Sequence, residues 1–201
     1  RTRSKRSHHG TFRSVELFTG AGGLALATHE AGFRHVALFE WNRDACATLS
    51  ANAAETTVPG IGHWSILERD VRQVQFGEFG PVALVAGGPP CQPFSIGGKH
   101  RGMRDERDMI PEFIRAVREL QPAAFIFENV KGLTRHTFRN YFSYIQLQMT
   151  YPALACGSNE NWTDHLSRLE DVHTKGRHRG LQYNVVARLL NAANYGVPQT
   201  R

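Results

Sequence analysis

Cysteine is scarce in this chain, with three in 201 residues. Cys46, Cys91 and Cys156 are widely spaced and odd in number, which argues against both a disulfide framework and a zinc site, so no metal is expected. A thiol in a reducing compartment stays free to act as a nucleophile. Long hydrophobic runs are missing too: charge or glycine interrupts every apolar stretch well short of a bilayer span, and the first residues lack the apolar core of a secretory signal. These absences predict a soluble protein of the cytoplasm with no membrane partner. Internal repeats and low-complexity tracts are also lacking, and 201 residues with 41% hydrophobic content suit one sizeable core better than two. What is in excess is positive charge, +6 overall. Lysine and arginine release counterions from a phosphate backbone, so a polyanionic partner is favoured. Part of the excess, Arg1, Arg3, Lys5 and Arg6, reads as a solvated arm over residues 1–10, leaving 11–201 as a single domain.

The apolar pattern of that domain alternates between strands and helices. Ser14–Phe18 predicts a strand that stops at Thr19-Gly20-Ala21-Gly22-Gly23, with a helix over Leu24–Ala31. A second strand, His35–Phe39, closes on Glu40 before a helix from about Arg43 to Asn52. A weak strand at Ile66–Arg69, a clear one at Val82–Ala86, a helix at Ile110–Leu120 and a strand at Ala123–Phe127 continue the rhythm. Such alternation predicts an α/β fold with a mostly parallel sheet, helices on both faces, and ligands at the carboxyl ends of the strands. Further on, a helix is expected over Phe138–Met149, irregular polar chain over Tyr151–Gly180, and a late strand over Tyr183–Leu190.

Chemistry concentrates at the predicted strand ends. A glycine turn after the first strand lets backbone amides approach a ligand, although Gly20-x-Gly22-Gly23 does not match the dinucleotide spacing. Glu40, ending the second strand, is placed to accept from ribose hydroxyls, and Trp41 beside it offers a flat face to an adenine; a capping carboxylate and a half-buried tryptophan would look the same. Gly87-Gly88-Pro89-Pro90-Cys91-Gln92-Pro93-Phe94-Ser95 sets three prolines and two glycines around one thiol, a rigid mount for a nucleophile. Glu128 follows the next strand, so its carboxylate is expected near Cys91, where thiolate and carboxylate together suit attack on an electrophilic carbon with acid assistance. A surface glutamate remains an equal reading of Glu128 by itself.

These motifs together resemble the cytosine-5 DNA methyltransferase family. Phe18-x-Gly20-x-Gly22-Gly23 is similar to its cofactor loop, Glu40-Trp41 to its ribose and adenine contacts, Asp70-Val71 to its third cofactor element, and Pro90-Cys91-Gln92 to its nucleophile motif. Glu128-Asn129-Val130 resembles the base-holding motif, and Asn194–Arg201 the segment carrying the family's arginine. The resemblance implies a Rossmann-like fold, S-adenosylmethionine as cofactor, duplex DNA as partner, and a restriction-modification role. It further implies that Cys91 adds to carbon 6 of a flipped cytosine, with Glu128 and Arg201 completing the catalytic set. The loop after Cys91, with Gln92, Ser95, Lys99, Arg101 and Arg104, resembles the mobile segment that closes on DNA, with Gly97, Gly98 and Gly102 as hinges. Family members continue past Arg201 into a target-recognition region and a closing segment, which implies either a truncated chain or a subunit completed by a second polypeptide. A tRNA cytosine-5 methyltransferase sharing the Pro-Pro-Cys-Gln-Pro-Phe signature, or a non-catalytic module binding cofactor or nucleic acid, are the competing readings. Lys175, Arg177, His178 and Arg179 are expected on a solvated loop that could touch phosphate.

Overall fold

The computed structural model describes residues 12–55, 57–90, 108–176 and 178–199. Its regular elements are β1 (Phe12–Leu17), α1 (Gly23–Glu30), β2 (Phe33–Glu40), α2 (Arg43–Glu55), β3 (Ile66–Glu68), β4 (Leu84–Gly87), α3 (Ile110–Leu120), β5 (Ala124–Phe127), α4 (Arg139–Thr150) and α5 (Trp162–Lys175). Among the described residues they fall into two compact units: 12–90 with 111–128, and 108–110 with 129–199.

The first unit is the predicted α/β fold. Its five strands are ordered β3-β2-β1-β4-β5 and all pair in parallel. The chain winds one way from β1 to β3 and the other way from β4 to β5, so the order reverses between β1 and β4, where Leu17 lies beside Gly87. The last four residues of β1 and β2 and all four of β4 are buried without alternation, as expected of strands covered on both faces. Aromatic rings set the packing: Phe39 meets Phe76 and Phe79 edge-on at 5.8 and 5.2 Å, and Phe113 of α3 meets Phe125 and Phe127 of β5 at 6.1 and 5.2 Å. β5 is an edge strand, and its alternate residue Ile126 is exposed.

A polar cluster lies beneath α1. Ser14 Oγ donates to Nδ1 of His35 at 3.0 Å, and Nε2 of the same ring donates to the Ala25 carbonyl at 2.9 Å, so the buried imidazole is held neutral and its pKa falls below the usual value, chiefly through burial. Glu16, on the same strand, is 1% exposed and neither carboxyl oxygen has a hydrogen-bond partner. Burial pushes its pKa up to about 8, only partly offset by the nearby Ala25 amide.

In the second unit, the stretch expected to be irregular between Tyr151 and Gly180 contains α5, a correction to the reading from sequence. Asn161 caps α5, its Oδ1 accepting from the Thr163 and Asp164 amides, and Gly176 ends it at φ 60°. His165 and Leu169 are fully buried on the inner face of α5. Tyr144 Oη of α4 donates to His165 Nδ1 at 2.9 Å, and His165 Nε2 donates to the Leu154 carbonyl at 2.8 Å. Cys156, Glu160 and His165 bring their donor atoms within 4.8 Å of one another, but each already has a partner. Arg168 grips both oxygens of Glu160 and holds that carboxyl down at about 2. These contacts form a hydrogen-bond network tying α5 to the Leu154–Glu160 turn.

The expected late strand over Tyr183–Leu190 is also corrected. That segment is joined to α4 by Tyr183 N–H to Thr150 O at 3.0 Å, but forms no ladder among the described residues, and Val186, Leu189 and Leu190 are exposed. An alternating apolar pattern becomes a strand only beside another strand. Among the described residues, no helix is long and apolar enough to cross a membrane.

Candidate active site

Each strand of the first unit hands its chain to a loop at the carboxyl edge of the sheet, and the residues singled out in the sequence sit on those loops. Reading across the sheet, Asp70 and Val71 follow β3, Glu40 and Trp41 end β2, Phe18–Gly23 follows β1, Gly88–Pro90 follows β4, and Glu128 follows β5. Residues far apart in the chain thus share one rim, on either side of the reversal between β1 and β4.

Backbone strain and hydrogen bonds together shape the loop after β1. Phe18 adopts φ 57°, a left-handed conformation that costs a non-glycine residue about 1 kcal/mol or more. Both the amide and the hydroxyl of Thr19 donate to the Phe39 carbonyl, at 3.2 and 3.3 Å, fastening this loop to β2. Gly22 has φ 95°, and a Cβ there would stand 2.6 Å from Leu49 Cδ2, so conformation and space both demand glycine. Gly20 and Gly23, by contrast, have nothing within 4 Å of where a Cβ would lie, which leaves the loop backbone open to a ligand.

Glu40 is the clamp of this rim. Its Oε2 accepts from Gly20 N–H at 2.8 Å, and its Oε1 accepts from the Trp41 and Asn42 amides at 2.9 and 2.8 Å. The two readings left open by the sequence therefore meet in one side chain: the carboxylate holds the turn, and lone pairs not taken by these three amides can still accept from a ligand hydroxyl. Trp41 is 71% exposed, with its ring free for stacking. The residues present fit a nucleoside-type group: an open glycine backbone, a positioned carboxylate and a bare aromatic face.

The Asp70-Val71 element is held from a distance. Asp70 accepts from the Arg72 backbone amide and, on both carboxylate oxygens, from the Arg72 guanidinium, the shortest contact being 2.6 Å, and this neighbour lowers its pKa. Arg115 of α3 reaches over to donate to the Val71 and Val74 carbonyls at 2.7 and 2.9 Å while lying 4.6 Å over the Phe76 ring. The sequence offered no signal for this positioning role, because the partners are more than forty residues apart. Arg115 also pairs with Glu112 and Glu119, three residues before it and four after, at 2.7 and 2.9 Å.

On the other side of the reversal, Glu128 meets the loop that leads to Cys91. Its N–H donates to Gly87 O at 3.0 Å, and its Oε2 lies 2.9 Å from where a Cβ on Gly88 would stand. A side chain at 88 would displace the carboxylate from this place. Pro89 is buried and Pro90 exposed, so the described chain reaches the rim with the next residue still to come. Cys91, Gln92, Ser95, Lys99, Arg101, Arg104 and Arg201 lie outside the described residues, as do Gly97, Gly98, Gly102, Arg177 and the basic residues 1–6. Lys175 is paired with Asp171 at 2.7 Å on the last turn of α5 rather than on a loop.

A parallel sheet reversing at β1 and β4, with a glycine turn after β1 and an acid closing β2, defines an α/β protein of the nucleoside-binding class. The chain belongs to the C-5 cytosine-specific DNA methylase family, whose model matches residues 12–151. The type II methyltransferase M.NgoMIV of Neisseria gonorrhoeae is 44% identical over 137 residues, and M.AquIA of Picosynechococcus sp. is 34% identical over 188. These matches cover 68% and 93% of this chain, but the chain spans only 41% and 67% of those two proteins. A solved DNA modification methyltransferase encoded within an E. coli prophage aligns with a TM-score of 0.50 at 28% identity, over 67% of this chain and 37% of that one.

Proposed function

We propose that this chain is the cofactor-binding and catalytic part of a type II DNA cytosine-5 methyltransferase of the bacterial cytoplasm, acting in a restriction-modification system. The observation that carries the reading is the Glu128 carboxylate resting over Gly88, on the loop that delivers Cys91. Phe18, Gly20, Gly22, Gly23, Glu40, Trp41, Asp70, Val71 and Pro90 would hold S-adenosylmethionine, which supplies an electrophilic methyl group when bound. The open backbone at Gly20 and Gly23 and the exposed Trp41 face support this assignment.

Carbon 5 of cytosine is a poor nucleophile. Addition of the Cys91 thiolate to carbon 6 moves electron density to carbon 5, which then takes the methyl group. Loss of the carbon 5 proton and expulsion of the thiolate restore the ring and free the cysteine. Glu128 would hold ring N3 and the exocyclic amine, stabilising the charge that develops there, and Arg201 would assist from the far end of the chain. The base must leave the duplex to reach the rim, at a cost of a few kcal/mol.

Relatives carry further chain beyond the matched part, and Val186, Leu189, Leu190, Tyr195 and Val197 are exposed here. Together these support a further segment, on the same or a second polypeptide, that covers this surface and reads the target sequence. The test is to incubate the protein, with any such partner, with S-adenosylmethionine and duplex DNA containing 5-fluorocytosine, which traps the adduct because its carbon 5 substituent cannot leave as a proton. A denaturation-resistant complex is expected from the wild type and none from Cys91→Ser, which keeps its cofactor affinity. Adducts formed equally by the serine variant would overturn covalent catalysis by Cys91.

A further inference from the structure

From Asn129 to Asn159 the chain has no aspartate or glutamate. Within that run, Lys131, Arg135 and Arg139 come every fourth residue, with His136 between them, and all four are exposed. Arg72, Arg115, Arg168 and Lys175 each pair with a carboxylate, whereas Lys131, Arg135 and Arg139 pair with none among the described residues.

The local backbone displays these cations firmly. Lys131–Thr134 and His136–Phe138 form successive 3-10 turns, closed by Leu133 N–H to Val130 O at 3.1 Å, Arg135 N–H to Gly132 O at 3.3 Å and Phe138 N–H to Arg135 O at 2.9 Å. Leu133, 2% exposed, pins the first turn, while Lys131 and Arg135 on either side of it are exposed. Lys131, Gly132, Thr134 and Arg135 line a cleft of about 380 Å³.

We propose that Lys131, Arg135 and Arg139 form a phosphate-binding edge that grips the backbone of duplex DNA. The inference rests on the methyltransferase reading, and it places a DNA contact outside the loop after Cys91. Three exposed cations within nine residues, with no carboxylate in the same run, suit a polyanion better than a single small anion. A surface of this kind positions the duplex and carries no sequence information.

The experiment measures binding of the whole chain to a mixed-sequence duplex by fluorescence anisotropy from 50 to 200 mM salt. Each lost phosphate contact flattens the plot of log affinity against log salt by about 0.9, so the triple variant Lys131→Ala, Arg135→Ala, Arg139→Ala should lose about 2.7 from its slope. Across that fourfold salt range, its affinity should fall about 40-fold less than that of the wild type. A charge-preserving set, Lys131→Arg, Arg135→Lys, Arg139→Lys, should retain the wild-type slope, which a merely structural role would not predict. Unchanged affinity and slope in the alanine variant, with wild-type DNA binding intact, would overturn the proposal. The 5-fluorocytosine adduct assay tests the methyltransferase reading separately: wild-type binding with the expected slope change but no adduct upholds the edge and rejects that reading.

Discussion

The rim around β1 and β2 and the segment from Tyr183 to Val197 are both rich in apolar residues, yet they are built in opposite ways. Val15, Leu17, Leu38 and Phe39 are fully buried, and the loops above them are fastened by Thr19 and Glu40. Val186, Leu189, Leu190, Tyr195 and Val197 reach into solvent, with exposures between 46% and 74%. The difference is one of neighbours: β1 lies between β2 and β4, whereas 183–190 pairs with no strand among the described residues. Alternation of apolar residues states a demand for a partner, and the fold determines whether the demand is met.

The comparison breaks most sharply at Glu16, a carboxyl buried in the sheet interior. Its folded pKa, about 8, lies above the unfolded value near 4.5, so between these pH values the folded state holds a proton that the unfolded state has released. Stability is therefore unpenalised below about pH 4.5, falls as pH rises through this window, and is lowest above pH 8. Glu16→Gln removes the titration and should gain on the wild type with rising pH, by about 3–5 kcal/mol across the window. Denaturant melts at pH 5, 7 and 9 check this; a constant difference would mean that Glu16 is solvated or paired.

Gly22→Val should follow, costing about 2–3 kcal/mol because φ 95° disfavours any side chain and Leu49 blocks its space. Calorimetric affinity for S-adenosylmethionine should fall with it, since the loop backbone must shift. Unaltered stability would mean that α2 yields easily and that the rim is looser than its hydrogen bonds imply.

The smallest effect belongs to the exposed segment. Val186→Ser with Leu190→Ser should change the stability of this chain by no more than about 0.5 kcal/mol, the range of ordinary surface positions. Val15→Ser, by contrast, should cost several times as much. A large loss from the paired serine change would show that the segment packs in solution against something.

The rhythm of the first unit was legible from residue identity, because buried parallel strands read as short unbroken apolar runs. Glu40 and Glu128 could be placed at strand ends by counting, while their partners could not. That Glu40 clamps Gly20 across twenty residues, and that Glu128 lies over Gly88, depend on which strands are neighbours. α5 was missed although Asn161 and Gly176 mark its ends, because its charged outer face and the histidine at its centre hide the apolar stripe. His165 belongs to that stripe only because Tyr144 and the Leu154 carbonyl satisfy both its nitrogens.

The sequence by itself determined the motifs, their order, the family and the places where the chain must turn, since these follow from local chemistry: glycine where φ is positive, apolar runs where both faces are covered, and an acid where a strand ends. Tertiary structure decided the strand order, the gathering of five loops on one rim, the Arg115 brace under Val71 and the exposure of Val186, Leu189 and Leu190. Those outcomes rest on contacts between residues far apart in the chain, and such contacts depend on which surfaces meet, something no local pattern encodes.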